Sequence, residues 1–179
     1  MSDRAGVAAV NQLTAEEFVL TFSRVVESYP AAAAQLCQLR PFRSTQHIVD
    51  SLAGFLESLA PADQEEVLRL HTDLAGSPAD GDEGRLTAES AREQRAAGLL
   101  SLSARDRQEL TQLNHRYKMK FGFPFVICAR ENKVATILEG LKTRLGNTRR
   151  DELEAGIAEV KKISALRIRE LTQSTQDNL

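Results

Sequence analysis

Apolar residues return at three- and four-residue intervals through most of this chain, and that period restricts it to packed helices more than any other feature does. Thr14-Ala15-Glu16-Glu17 has the spacing of a capping box, with Phe18, Phe22, Val25 and Val26 following on one face. Pro30 interrupts, and an alanine-rich segment then runs to Arg40, where Pro41 stops it. Ser44 or Thr45 can start the next helix, with Ile48, Leu52, Phe55, Leu56 and Leu59 inward. Pro61-Ala62-Asp63 opens another, since proline suits a first turn; it runs through Val67 and Leu70 and ends near His71. From Gly76 the turn-forming residues predict a loop over 77–86. Thr87 or Ser90 caps a helix reaching about Leu100, and Ser103-Ala104-Arg105-Asp106 caps one through Leu110, Leu113 and Tyr117. Phe121-Gly122-Phe123-Pro124-Phe125-Val126-Ile127-Cys128-Ala129 breaks the period, being aromatic and β-branched with Gly and Pro inside, and reads as extended, buried chain. Two more helices follow, about Asn132 to Leu145 with Gly146 as C-cap, and about Arg149 to Leu171; residues 172–179 read as a frayed tail. The expectation is an all-α, single-domain bundle of about eight helices over 1–179, with one short extended segment near 121–129.

Composition narrows the function classes. The chain has 179 residues, enough for one domain with a substantial core. Its 42% hydrophobic and 27% charged residues are those of a soluble globular protein. A formal net charge of -2 gives no general attraction to nucleic acid or to an anionic membrane, so neither is expected as a partner. His115-Arg116-Tyr117-Lys118 and Arg149-Arg150 read as solvated faces with acidic neighbours. His47 lies off the Ile48/Leu52 face and is left unassigned. The two cysteines, Cys37 and Cys128, make no disulfide framework, and no Cys/His cluster predicts a metal. No apolar run approaches the roughly 20 residues of a membrane span. The start of the chain lacks a signal-peptide pattern, and Asp177-Asn178-Leu179 is not an S-K-L type address. A cytoplasmic location is the expectation.

Three polar residues stand where the period assigns core. At about 100° per residue His71 lies about 40° from Val67, on the inward side at the C-terminal end of its helix. It reads either as a half-buried histidine favoured by the helix dipole or as an acid–base group with a tunable pKa. Ser90, Glu93, Ala97 and Leu100 share one face at i, i+3, i+7, i+10, with Gln94 at its border. That pair is either a capping box, Ser90 with Glu93, or an inward-drawn carboxylate. In the last helix Leu153, Ile157, Val160, Ser164, Arg167 and Leu171 form one stripe that includes a guanidinium. Buried, Arg167 must meet a protein carboxylate or a ligand anion.

Those residues belong to a set of pieces whose joint order is specific: Arg40-Pro41-Phe42; His71-Thr72-Asp73-Leu74-Ala75-Gly76; Leu86 to Ser90 running on to Glu93-Gln94 and Ala97-Gly98-Leu99; Asn114 with Tyr117; Phe121 to Arg130; and Glu159-Val160-Lys161-Lys162-Ile163 leading to Leu166-Arg167. In these the chain resembles, along nearly its whole length, the family of decarboxylases acting on 2-oxo-4-hydroxy-4-carboxy-5-ureidoimidazoline (OHCU) in urate breakdown. The resemblance implies an all-helical, commonly dimeric fold and a cofactor-free carboxy-lyase yielding (S)-allantoin. It implies His71 as the catalytic histidine with Glu93 as its acidic partner. It places Thr72, Ser90, Ala91, Arg92, Gln94, Phe125, Val126, Ile127, Cys128 and Ala129 in the substrate pocket, with Arg167 as an anion contact. It also leaves the peroxisome open as a location.

Where the family usually has proline after the histidine, this chain has Thr72, which frees the backbone and adds a hydroxyl. The substrate the resemblance implies carries a carboxylate and a hydroxyl on C4 beside a C5=N imine, its own electron sink. No metal, pyridoxal or thiamine is expected, and no signature for one is present. Backbone N–H groups of Val126, Ile127, Cys128 and Ala129 are candidate donors to the ureido and ring carbonyls. Two competing readings share the sequence: a catalytically impaired family member serving as a helical interaction module, and a lyase on a related ureido substrate.

Overall fold

A computed structural model describes residues 2–75 and 87–177; the predicted loop at 77–86 falls outside the described residues. Nine α-helices are present among them: α1 (Ser2–Gln12), α2 (Ala15–Phe22), α3 (Ala31–Gln38), α4 (Thr45–Ser58), α5 (Pro61–Arg69), α6 (Ala88–Ala96), α7 (Ala104–Phe121), α8 (Val134–Arg144) and α9 (Arg149–Asp177). Short 3-10 turns occur at Leu99–Ser101 and Ala129–Glu131, and no strand is found among the described residues. The all-α class is as the apolar period predicted. The chain forms two compact units, one of residues 2–60 with 161–177 and one of Pro61–Val160, so α9 contributes to both.

In the first of these units the helix starts follow the sequence. Thr14 and Glu17 make the reciprocal capping box ahead of α2, and the Ser44 side chain accepts from the His47 N–H ahead of α4. The rings of Phe18 and Phe22 stack with centroids 4.3 Å apart, and Leu36, Ile48, Leu52 and Leu56 are fully buried in the same unit. Helix α1 was not predicted; Val7 and Val10 on it are both buried. It is fixed by Asn11, whose side chain donates to Phe42 O and accepts from Phe42 N–H, each at 2.8 Å. Gly6 lies against α9 so closely that a Cβ would stand 2.1 Å from the Thr172 carbonyl oxygen. That contact also accounts for a correction at the other end. The expected fraying near Thr172 does not occur: α9 continues to Asp177, Thr172 is buried, and its hydroxyl pairs with that of Thr45 at 3.1 Å.

The second unit is built around an aromatic cluster. Tyr117, Phe121, Phe123 and Phe125 are buried together, with Tyr117 centroids 4.6, 6.2 and 5.3 Å from the other three. Helix α7 runs to Phe121 and ends at Gly122 in the left-handed region, φ 78°, where glycine has no Cβ penalty. The irregular segment therefore starts one residue later than the aromatic run suggests. Two further boundaries differ from expectation. Helix α6 stops at Ala96, because Gly98 takes φ 84° and turns the chain into Leu99–Ser101. Helix α8 ends at Arg144 with Leu145 as its C-cap, and Gly146 is outside the left-handed set.

Candidate active site

Helix α6 is capped by Thr87, whose hydroxyl accepts the Ser90 N–H at 3.2 Å. Ser90 is thus the third residue of the helix, and the capping-box reading of Ser90 with Glu93 is overturned. What remains is the inward reading: Ser90, Glu93 and Gln94 are 5%, 6% and 4% exposed. A run of serine, carboxylate and carboxamide on the buried face of a short helix is costly unless each finds partners. Ala91 is half-buried and Arg92 is exposed on the same helix.

The segment after α5 meets this face. The Gln94 side-chain oxygen accepts the Ala75 N–H at 2.9 Å, and the Asn114 amide donates to Leu74 O at 3.0 Å. Both bonds pin a turn in which Ala75 holds φ 50°, a left-handed conformation that costs a β-carbon residue about 1–2 kcal/mol. Asp73 is tied to Lys118 at 2.9 Å. His71 itself is 8% exposed, and its Nδ1 lies 2.9 Å from Val67 O. A carbonyl oxygen can only accept, so Nδ1 carries the hydrogen. In the neutral ring Nε2 is then the basic atom. The bond also satisfies a carbonyl that the end of α5 leaves without a helical partner. Thr72, beside it, is half-buried.

The third wall comes from residues 123–131. Helix α6 packs against the Ala129–Glu131 turn. Phe125, Val126, Cys128 and Ala129 are buried, and Ile127 is half-buried. Of the four backbone amides expected to serve as donors, that of Cys128 is already used: it donates to Glu159 Oε2 at 2.8 Å. The N–H groups of Val126, Ile127 and Ala129 have no acceptor among the described residues. Burial raises the Cys128 thiol above its ordinary pKa, which keeps it protonated and unreactive as a nucleophile.

Beneath this segment lies a polar network the sequence did not single out. Glu152, fully buried in the first turn of α9, accepts from Tyr117 Oη, from Arg144 Nε at 2.9 Å and from Asn147 Nδ2 at 2.8 Å. Arg144 also donates to Val126 O at 2.8 Å and lies 4.5 Å over the Phe125 ring. An acid in the first turn of a helix has a ready explanation in the helix dipole, and that concealed Glu152.

Arg167 belongs to the other compact unit. Of the two partners left open for it, the protein carboxylate is present: Arg167 Nη2 lies 3.6 Å from Glu27 Oε2, both residues being 4% exposed, and Nη1 donates to Arg24 O at 2.9 Å. With Ser164 donating to Val25 O, it holds the turn between α2 and α3 onto α9.

The second unit therefore brings three sequence segments together around one another: 71–75, the buried face of α6, and 123–131. This is the combination that carried the resemblance. The sequence profile of the OHCU decarboxylase family matches residues 11–169. The chain belongs to the OHCU decarboxylase family. Among its relatives are OHCU decarboxylases of Amia calva, 48% identical over 92% of this chain and 93% of theirs, and of Xenopus laevis, 44% identical over 90% and 91%. Among solved structures, an OHCU decarboxylase crystallised in the presence of (S)-allantoin matches with a TM-score of 0.68 and 27% identity, over 85% of this chain and 97% of that one. An (S)-allantoin synthase shares the fold, with a TM-score of 0.74 at 18% identity over 53% of its length. The family membership expected from the sequence is thereby established.

Proposed function

We propose that this chain decarboxylates OHCU to (S)-allantoin, with His71 as the acid–base group and Glu93 as its partner. The observation that supports this most is the hydrogen bond of the buried His71, through Nδ1, to Val67 O, which leaves Nε2 as the ring nitrogen available for proton transfer in a chain of this family.

The chemistry then needs little beyond position and protons. Loss of CO2 breaks the bond from C4 to its carboxylate; that electron pair forms C4=C5 while the imine pair moves to nitrogen, which takes a proton. His71 Nε2 accepts the C4 hydroxyl proton as the C4 carbonyl forms, and a proton delivered to one face of C5 sets the (S) configuration. Acid–base transfer of this kind contributes about 10²–10⁴-fold. The buried Glu93 carboxylate stabilises the imidazolium formed in between. Ser90 and Gln94 supply neutral hydrogen-bonding groups, Thr72 a hydroxyl beside the ring, and the Val126, Ile127 and Ala129 amides donors to the ureido and ring carbonyls. The family resemblance further supports a homodimer, which light-scattering mass in solution tests.

Freshly generated OHCU decays on its own, so the test is its ultraviolet decay with and without protein. Wild type accelerates the decay; His71→Ala, folded by circular dichroism, leaves it near the spontaneous rate. Full turnover by His71→Ala removes the role assigned to the imidazole.

A further inference from the structure

The segment carrying the candidate amides has two of its backbone groups tied to charged side chains. Arg144 donates to Val126 O at 2.8 Å, and Glu159 Oε2 accepts from Cys128 N–H at 2.8 Å. These two groups belong to the peptide units on either side of Ile127. A trans peptide unit is planar, with its C=O and N–H pointing in opposite directions. The sole cis bond among the described residues is Arg40–Pro41, so both units here are trans. Holding Val126 O toward Arg144 turns the Ile127 N–H away from Arg144. Holding Cys128 N–H toward Glu159 turns the Ile127 C=O away from Glu159. Neither Ile127 group has a protein partner among the described residues, although the residue is only half exposed.

Such clamps are expensive as mere packing. A buried ion pair adds less to stability than apolar side chains of the same volume would. Arg144 is committed four ways, to Glu152, to Tyr117, to Val126 O and over the Phe125 ring, so its guanidinium has one orientation. A rigid donor on one peptide unit and a carboxylate on the next fix direction, which apolar contacts do not.

We infer that Arg144 and Glu159 are positioning residues that aim the N–H and C=O of Ile127 as a donor–acceptor pair at the ureide edge of the substrate, where a carbonyl stands beside an N–H. This rests on the proposed function. It assigns to two side chains that tie the backbone on either side of Ile127 the task of selecting ureides.

The test follows the Ile127 amide by 1H–15N correlation while (S)-allantoin is added, alongside steady-state turnover of OHCU. In the wild type the Ile127 amide shifts on addition. Glu159→Leu, which cannot accept the Cys128 N–H, loses that shift, binds (S)-allantoin at least about tenfold more weakly, and drops in kcat/KM by roughly 10- to 100-fold, the cost of misplacing a contact by about 1 Å. Glu159→Gln keeps an acceptor oxygen and recovers the shift and most of the activity. Arg144→Lys, whose ammonium cannot reproduce the planar fork, behaves like Glu159→Leu. Where Glu159→Leu fails to fold, Glu159→Asp, one methylene too short to reach, takes its place with the same expectation. An unchanged Ile127 shift with kcat/KM within twofold of wild type in both folded variants overturns the inference alone. A wild type without OHCU turnover overturns the functional reading, and this one with it.

Discussion

Removing a single hydroxyl, Tyr117→Phe, tests the buried network that supports residues 123–128. The Tyr117 hydroxyl is fully buried and donates to Glu152, a carboxylate with no exposed surface. A hydrogen bond to a charged group is worth about 1.5–3 kcal/mol, and Glu152 retains Arg144 and Asn147, so the loss at pH 7 should be about 2 kcal/mol. The pH dependence is more diagnostic. Burial first, and then the bond to Glu152, raise the Tyr117 pKa well above the usual tyrosine range. A group whose folded pKa is raised holds its proton more tightly when folded. Its contribution is complete below the unfolded value of about 10 and is lost as pH rises above that. Wild type should therefore lose up to about 1.4 kcal/mol per pH unit from this residue above pH 10. Phenylalanine has no proton to lose, so the stability gap should narrow from about 2 kcal/mol at pH 7 to about 0.6 kcal/mol at pH 11. Urea unfolding of both proteins at pH 7, 9, 10 and 11 measures this directly. A gap that stays constant with pH, or one below about 0.5 kcal/mol at pH 7, refutes the assigned hydrogen bond.

Other outcomes follow from the same structure. Glu93→Gln, read by OHCU turnover, should lower kcat/KM by about 10²-fold or more while leaving the unfolding midpoint nearly unchanged, since it removes the carboxylate charge proposed to assist His71 and keeps the shape. Arg167→Ala removes the guanidinium beside the buried Glu27 carboxylate in the first unit and should cost about 3–5 kcal/mol in urea unfolding, most of it recovered when Arg167→Met is combined with Glu27→Leu. Ala75→Gly relieves a left-handed backbone and should stabilise by about 1 kcal/mol by the same measurement, offset in part by the entropy glycine adds to the unfolded chain.

Much of the fold was legible because helix punctuation is local chemistry. Thr14, Ser44, Thr87 and Ser103 each cap a helix with the side-chain hydroxyl the sequence offered. Ends set by contacts distant in the chain were not legible. Thr172 stays helical because Gly6 and Thr45 lie against it, far off in sequence. The inward placement of Glu93 and Gln94 was readable from spacing, and Ser90 became unambiguous only once Thr87 proved to be the cap. For Arg167 the sequence offered a protein carboxylate or a ligand; Glu27, 140 positions away, could not be singled out by any periodicity. The Glu152 and Glu159 contacts were hidden for the same reason, since a carboxylate on a helix looks alike whether it meets water, an arginine or a backbone amide.

In the proposed reaction one buried imidazole, that of His71, both frees the C4 carbonyl and governs protonation at C5. Circular dichroism of the allantoin formed from freshly generated OHCU tests it most directly. Wild type should give a strong signal of the (S) enantiomer, and His71→Ala an optically inactive product formed at the spontaneous rate. Racemic allantoin from the wild type, or an undiminished (S) signal from His71→Ala, would contradict it.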